Sequence, residues 1–159
     1  MDYLFRLIPS INLQGLIKAG FLIKEEAQHL VPVDIGNLKA SGFVVWKNPG
    51  GLDLNVPKNR KLPFKKPRKK KGPGSSVADY QKIHKLAKAK AKKELPLSIR
   101  KEFFAVTVGF SAYYAAYVHE NKEMNHPNGG EARFLSKAVN RNKMAILKTV
   151  AQEARKINR

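Results

Sequence analysis

Between Lys58 and Lys93 the chain places fifteen of its 31 lysines and arginines against a single acid, Asp79. A segment so composed cannot form a core, because a buried cation needs a partner and one carboxylate cannot serve fifteen. It must lie outside, and the fold has to be built from what flanks it. The segment carries a formal +14, so the other 123 residues hold only +5 of the total +19. Those flanks read as an ordinary domain, and 43% hydrophobic residues in a chain of 159 suffice for one modest core. The absence of cysteine excludes disulfides and thiolate chemistry and suits a reducing cytoplasm. Arg6, Pro9 and Lys18 interrupt the apolar N-terminal stretch and no small-residue cleavage site follows, so neither a signal peptide nor a membrane span is expected.

Ahead of the basic segment, Leu13, Leu16, Ile17, Gly20, Ile23, Ala27 and Leu30 recur three or four apart, with Lys18, Lys24, Glu25 and Gln28 between them. This predicts an amphipathic helix from Ile11 to Leu30, capped near Ser10 or Asn12 and stopped by Pro32. From Phe43 the period becomes two. Phe43 to Lys47, the turn N-P-G-G at 48–51 and the alternation of Leu52, Leu54 and Val56 predict a hairpin, and Phe104 to Phe110 a third strand. The insertion, about 57–96, opens with P-K-N-R-K-L-P-F-K-K-P-R-K-K-K-G-P-G-S-S, an extended loop without period. It continues as a helix with a Ser76 cap and a narrow stripe of Val77, Tyr80, Ile83 and Leu86 or Ala87, enough to dock weakly. A short helix capped by Ser111 and bearing Tyr113, Tyr114 and Tyr117 follows the third strand. A loop at 125–130 then leads into one long helix, Ala132 to about Ile157, with Leu135, Ala138, Val139, Ile146, Val150, Ala154 and Ile157 facing the core. The expected fold is a single α+β domain: an antiparallel meander of three to four strands covered by an N-terminal and a long C-terminal helix, carrying a basic insertion.

Enzyme chemistry finds little footing. His119, Glu120 and His126 read H-E-x5-H, but a zinc-protease helix needs its second imidazole where Glu123 stands. His29 falls at a helix end, and His84 sits in a lysine-rich helix where a solvated imidazole is expected. G-P-G-S-S lacks the G-K-[ST] of a phosphate loop, and no nucleophile motif or paired-carboxylate spacing occurs. No enzyme activity, metal or cofactor is therefore expected. The tyrosines read as a packing face before a base-stacking platform. The nine cations Lys58, Arg60, Lys61, Lys65, Lys66, Arg68, Lys69, Lys70 and Lys71 read as a contact surface for DNA phosphates or an acidic partner before a solvated spacer.

Three segments carry a family resemblance. P-V-D-I-G-N-L-K-A-S at 32–41 resembles the P-x-D-T-G-x-L-R-x-S signature of the tail-completion, or head-to-tail joining, proteins of tailed bacteriophages. V-G-F-S-A-Y-Y-A-A-Y-V-H-E at 108–120 resembles that family's V-G followed by Y-A-x-Y-V-E, and R-F-L-S-K-A at 133–138 resembles its late F-L-x-x-A. Ile35 stands for the usual Thr and Lys39 for the usual Arg, while N-K-E-M-N-H-P replaces the family's E-x-G-T. The insertion is longer than the family pattern. The resemblance implies a virion structural protein of the neck, of tail-completion or tail-terminator kind, assembled in the host cytoplasm as a homo-oligomeric ring, most often a hexamer. Its implied partners are the connector or head-completion protein, tail tube or sheath proteins and packaged DNA in the lumen, with no membrane. The matching positions Pro32, Asp34, Gly36, Leu38, Ser41, Tyr114, Ala115 and Tyr117 would then be structural. The alternative, carried by charge alone, is a free non-specific nucleic-acid-binding protein. A toxin-like nuclease would need a base and a metal carboxylate that the sequence does not place.

Within the first signature, Pro32 ends a helix, Asp34 is placed to cap a short turn through the amides of Gly36 and Asn37, Leu38 drops into the core and Ser41 opens the first strand. Asp34→Ala should lower stability by about 1 kcal/mol, read from the denaturation midpoint. An unchanged midpoint with blocked assembly would make the stretch an interface instead.

Overall fold

The computed structural model describes residues 12–33, 36–47, 54, 56–57, 61–66, 76–95, 104–124, 126 and 128–156. Asp34, the expected turn at 48–51 and the cations Lys58, Arg60, Arg68, Lys69, Lys70 and Lys71 lie outside them. Helix α1, Asn12–Leu30, forms where the apolar period predicts it and buries Leu13, Ile17 and Ala27 completely. Each large apolar side chain so removed from water contributes roughly 1.5–3 kcal/mol. Val31 donates the last helical bond, to the Ala27 carbonyl, and Pro32 ends the run.

Gly36, at φ 85°, then precedes a single turn, α2, Asn37–Ala40, which drops Leu38 into the core. Ser41 follows, fully buried, its hydroxyl donating to the Leu38 carbonyl at 2.7 Å. Strand β1, Gly42–Trp46, pairs antiparallel with β2, Val106–Phe110, in the register Phe43 to Gly109 and Val45 to Thr107. Among the described residues these are the two strands, forming a direct antiparallel β1–β2 pair, while the turn and most of the expected middle strand of the meander lie outside them. Leu54 and Val56 do bury apolar surface, against the Leu13, Ile17, Phe21 and Val44 cluster, but without pairing. Val56 donates to the carbonyl of Leu54, two residues back, a tight turn that no extended strand accommodates.

The alternation of β1 divides the interior. Val44 and Trp46 face α1 together with Val106 and Val108. Phe43 and Val45 face the other way, onto α3, Val77–Glu94, through Ala87, Ala91 and Leu95. Helix α3 opens with a reciprocal box: Ser76 Oγ accepts from the Asp79 amide and the Asp79 carboxylate accepts from the Ser76 amide. Ala87, not Leu86, belongs to the docking stripe, and Leu86 is exposed.

Three further expectations change. Ser111 is no cap: it follows directly on the end of β2, its amide donates to the Ser41 carbonyl at 3.0 Å, and α4 begins only at Ala115 and ends at Glu120. Of the tyrosines, Tyr114 packs on the core, but Tyr113 and Tyr117 are 58% and 64% exposed, against a shared packing face. The C-terminal helix is two, α5 at Phe134–Arg141 and α6 at Lys143–Lys156. Asn142 separates them because its side-chain amide takes the Ala138 carbonyl, competing with the helical ladder. Val139 turns outward.

Two clamps hold the C-terminal half to α1. On α6, Glu153 accepts from Lys18 at 2.9 Å, Lys156 at 2.8 Å and Gln14 at 3.2 Å. At the other end of α1, Glu131 donates its amide to the Leu30 carbonyl at 2.8 Å, and Gly130 lies so near Pro32 that a Cβ would come within 2.3 Å of its Cα. Gly130 also has φ 102°, and Arg133 nearby, at φ 56°, donates to the His119 carbonyl at 2.7 Å.

Gly130→Ala combines overlap with left-handed strain, and should lower stability by about 1–3 kcal/mol in urea denaturation. Hydrogen bonds from Lys156 and Lys18 hold the Glu153 carboxyl below its usual range. A depressed folded-state value means stability present above about pH 4.5 and lost as pH falls. Glu153→Gln should therefore flatten the decline in the urea midpoint between pH 5.5 and pH 3.5.

Candidate functional site

Of the nine loop cations, Lys61, Lys65 and Lys66 are described, and all three are exposed. Their stem is not free. The Asn37 side chain grips the backbone of Lys65 on both sides, its Oδ1 accepting from the Lys65 amide at 2.6 Å and its Nδ2 donating to the Lys65 carbonyl at 2.8 Å. One residue earlier, Phe64 stacks on Tyr80 of α3, ring centroids 5.6 Å apart and nearly parallel, and meets His84 edge-on. The stem of the insertion is thus fixed to both α2 and α3.

The signature residues are brought together. Leu38 from the first motif, Ala115 from the second and Phe134 and Ala138 from the third are buried in one cluster, with Tyr114 packed against it and Pro32 beneath Gly130. Ser41 joins Ser111 across the strands. Tyr117 stands apart, on the surface.

Where the stem crosses α3, a cleft of about 490 Å³ opens along the edge of β1 that faces away from β2. Residues from both faces of the strand line it, as do α1, α3 and the stem. Phe21, Phe43, Trp46 and Phe64 supply aromatic walls; Lys24, Lys61, Lys88 and His84 supply positive or titratable groups; Gln28 and Gln81 supply amides. No acid lines it. Lys24 is 2% exposed, and among the described residues its ammonium has no hydrogen-bond or salt-bridge partner. Gly42 makes room for it: a Cβ there would sit 3.4 Å from the Lys24 Cε and 3.2 Å from the Gln28 amide nitrogen.

Burial lowers the Lys24 pKa from its usual value; Glu25 opposes that shift and Lys88 adds to it. Burial likewise lowers His84, with Lys88 and Lys24 adding to the effect. His84 Nδ1 lies 2.7 Å from Ser111 Oγ, which donates onward to the Ser41 carbonyl, so Nδ1 carries the hydrogen and Nε2 titrates. The solvated His84 expected from the sequence is corrected to a half-buried one.

Lys24, His84, Gln28 and Asn37 were the residues that sequence reading passed over. A signal existed for two: Lys24 falls four residues after Gly20 on the apolar face of α1, and His84 four after Tyr80 on the stripe of α3. Elsewhere, His119 Nδ1 meets Glu120 at 2.7 Å, while His119 Nε2 and His126 Nε2 are buried without partners. No group of three or more metal-ligating side chains converges among the described residues.

Because His84 binds its proton less tightly when folded, stability should fall as pH drops below about 6.5. His84→Gln should show a smaller loss of denaturation midpoint between pH 7.5 and pH 5.5. Compared with known proteins, the chain matches no family model, no curated protein and no solved structure.

Proposed function

We propose that this protein is a structural component of a tailed-phage neck, forming a ring that joins the head connector to the tail, with its basic loop contacting DNA or a neighbouring ring. The observation that carries the reading is the convergence of the three signature segments, spread over residues 32–138, in one core. Residues that resemble one family's pattern also form one packing unit here.

Surface chemistry adds support. A ring needs two different, complementary faces on each subunit. On α6, Met144 and Leu147 are 78% and 59% exposed one turn apart, and Tyr113, just before α4, and Tyr117, within it, present a second exposed apolar surface. Exposed apolar side chains gathered at two places suit subunit contacts. No described helix is long and apolar enough to cross a membrane. The exposed tyrosine rings also favour the second reading, a free nucleic-acid-binding protein that stacks bases.

Sedimentation of the full chain with its neck partners separates the two readings. Rings should form, and Met144→Glu with Leu147→Glu should abolish them while leaving the denaturation midpoint within about 0.5 kcal/mol, as both side chains are exposed. A chain that stays monomeric beside its partners, or a double variant that assembles normally, would overturn the ring. Neutralising Lys66, Arg68, Lys69, Lys70 and Lys71 should leave assembly intact and reduce the slope of log affinity for DNA against log salt by up to about 4.

A further inference from the structure

The cleft beside β1 holds a group that folding alone does not explain. An ammonium taken out of water costs several kcal/mol unless something answers its charge. Among the described residues the Lys24 ammonium makes no hydrogen bond or ion pair, only the neighbouring Glu25 carboxylate acts in its favour, and the polar side chains that share its cleft are cations, an imidazole and amides. Lys88, on α3, raises the local potential further, since it disfavours charge on both Lys24 and His84. Lys61, exposed on the stem, adds a further cation to the lining. Aromatic rings line both sides of the strand, Phe21 and Trp46, which meet edge-to-face 6.2 Å apart, toward α1, and Phe43 and Phe64, which meet His84 edge-on, toward α3.

We propose that this cleft binds a phosphate group carried on a flat apolar body, the chemistry of a nucleoside monophosphate. The charge decides for phosphate: a phosphate monoester carries about −1.5 to −2 at neutral pH and offers three acceptor oxygens, matching Lys24, Lys61 and Lys88 where one carboxylate would leave two cations unanswered. The volume decides for a body larger than the anion alone, since 490 Å³ falls in the range of small-molecule sites and inorganic phosphate would fill a small part of it. The walls decide for a ring, because a base or similar plane stacks on aromatic faces. Gln28, whose Nε2 donates to the Lys39 carbonyl at 2.6 Å, keeps its carbonyl oxygen for a ligand donor. The inference goes beyond the ring reading and stands without it. The same phosphate-and-ring unit occurs free or within a single strand, and the test distinguishes these sources.

Titration calorimetry on the full chain with adenosine monophosphate, thymidine monophosphate, inorganic phosphate, adenosine and a short glutamate peptide tests the idea. Both mononucleotides should bind, phosphate more weakly, and adenosine least. Lys24→Met keeps the stem and removes the charge, so it should fold at least as well as the parent; it should weaken mononucleotide binding about tenfold or more. Lys92→Ala with Lys93→Ala removes two charges from the last turn of α3, outside the cleft lining, and should change binding less than about threefold. A thymidine oligonucleotide that displaces the mononucleotide assigns the source to a strand, and one that does not assigns it to a free ligand. Failure of both mononucleotides to bind at millimolar concentration, undiminished binding to Lys24→Met, equal loss in the Lys92 and Lys93 variant, or tighter binding of adenosine or the glutamate peptide would each overturn the proposal.

Discussion

Helix α1 lies directly on both strands at Gly20, where an added Cβ would come within 2.9 Å of Val106 and 3.1 Å of Val44. That approach sets the rest of the structure. With no side chain at the contact, the helix settles deep enough for Leu13, Ile17 and Phe21 to be enclosed by the sheet on one side. Its remaining faces are then free to receive α6 at Gly15, where the Val150 Cα lies 3.0 Å from a notional Cβ, and α5 near Ala27. A two-stranded pair by itself is marginal in water, and here a helix on each face compensates.

Much of this was legible in the sequence because the relevant signals are local. The apolar period gave α1, Ser76 announced α3, alternation placed β1 and β2, and Gly36 took the left-handed conformation its motif suggests. The failures share a physical origin: periodicity reports that a side chain is buried without reporting what it is buried against. Leu54 and Val56 alternate as a strand would, yet fill space beside α1 without pairing. Ser111 has the chemistry of a cap and spends it across the sheet on Ser41. Asn142 looks like any polar residue on a long helix until its amide takes a backbone carbonyl. The cleft was hidden for the opposite reason. Lys24 and His84 occupy apolar positions in their helices, and residue type overruled position in reading them as solvated.

The distribution of charge acquires a different meaning once the chain is folded. The composition places nearly all the excess in the insertion, and the extended stem with α3 does carry lysines outward. Through Phe64 and the Asn37 grip on Lys65, though, the insertion is stitched to the core, so its cations are presented from a defined place. Two of the few acids work at joints: Glu153 fastens α6 to α1, and Glu131 gathers Lys137 and Arg141 while its amide holds the end of α1.

The two clamps on α1 also govern when this protein can fold as it is made. The helix is complete by residue 30, but its partners β2, α5 and α6 all come from the second half of the chain, and the last fastening waits for Glu153. At about 5–20 residues per second, roughly 6–25 s separate synthesis of α1 from synthesis of that residue. Through that interval the most apolar helix of the molecule has no finished surface to cover it. A nascent chain of this design therefore carries an incompletely covered apolar helix through most of its synthesis, an exposure of the kind that favours association between unfinished chains.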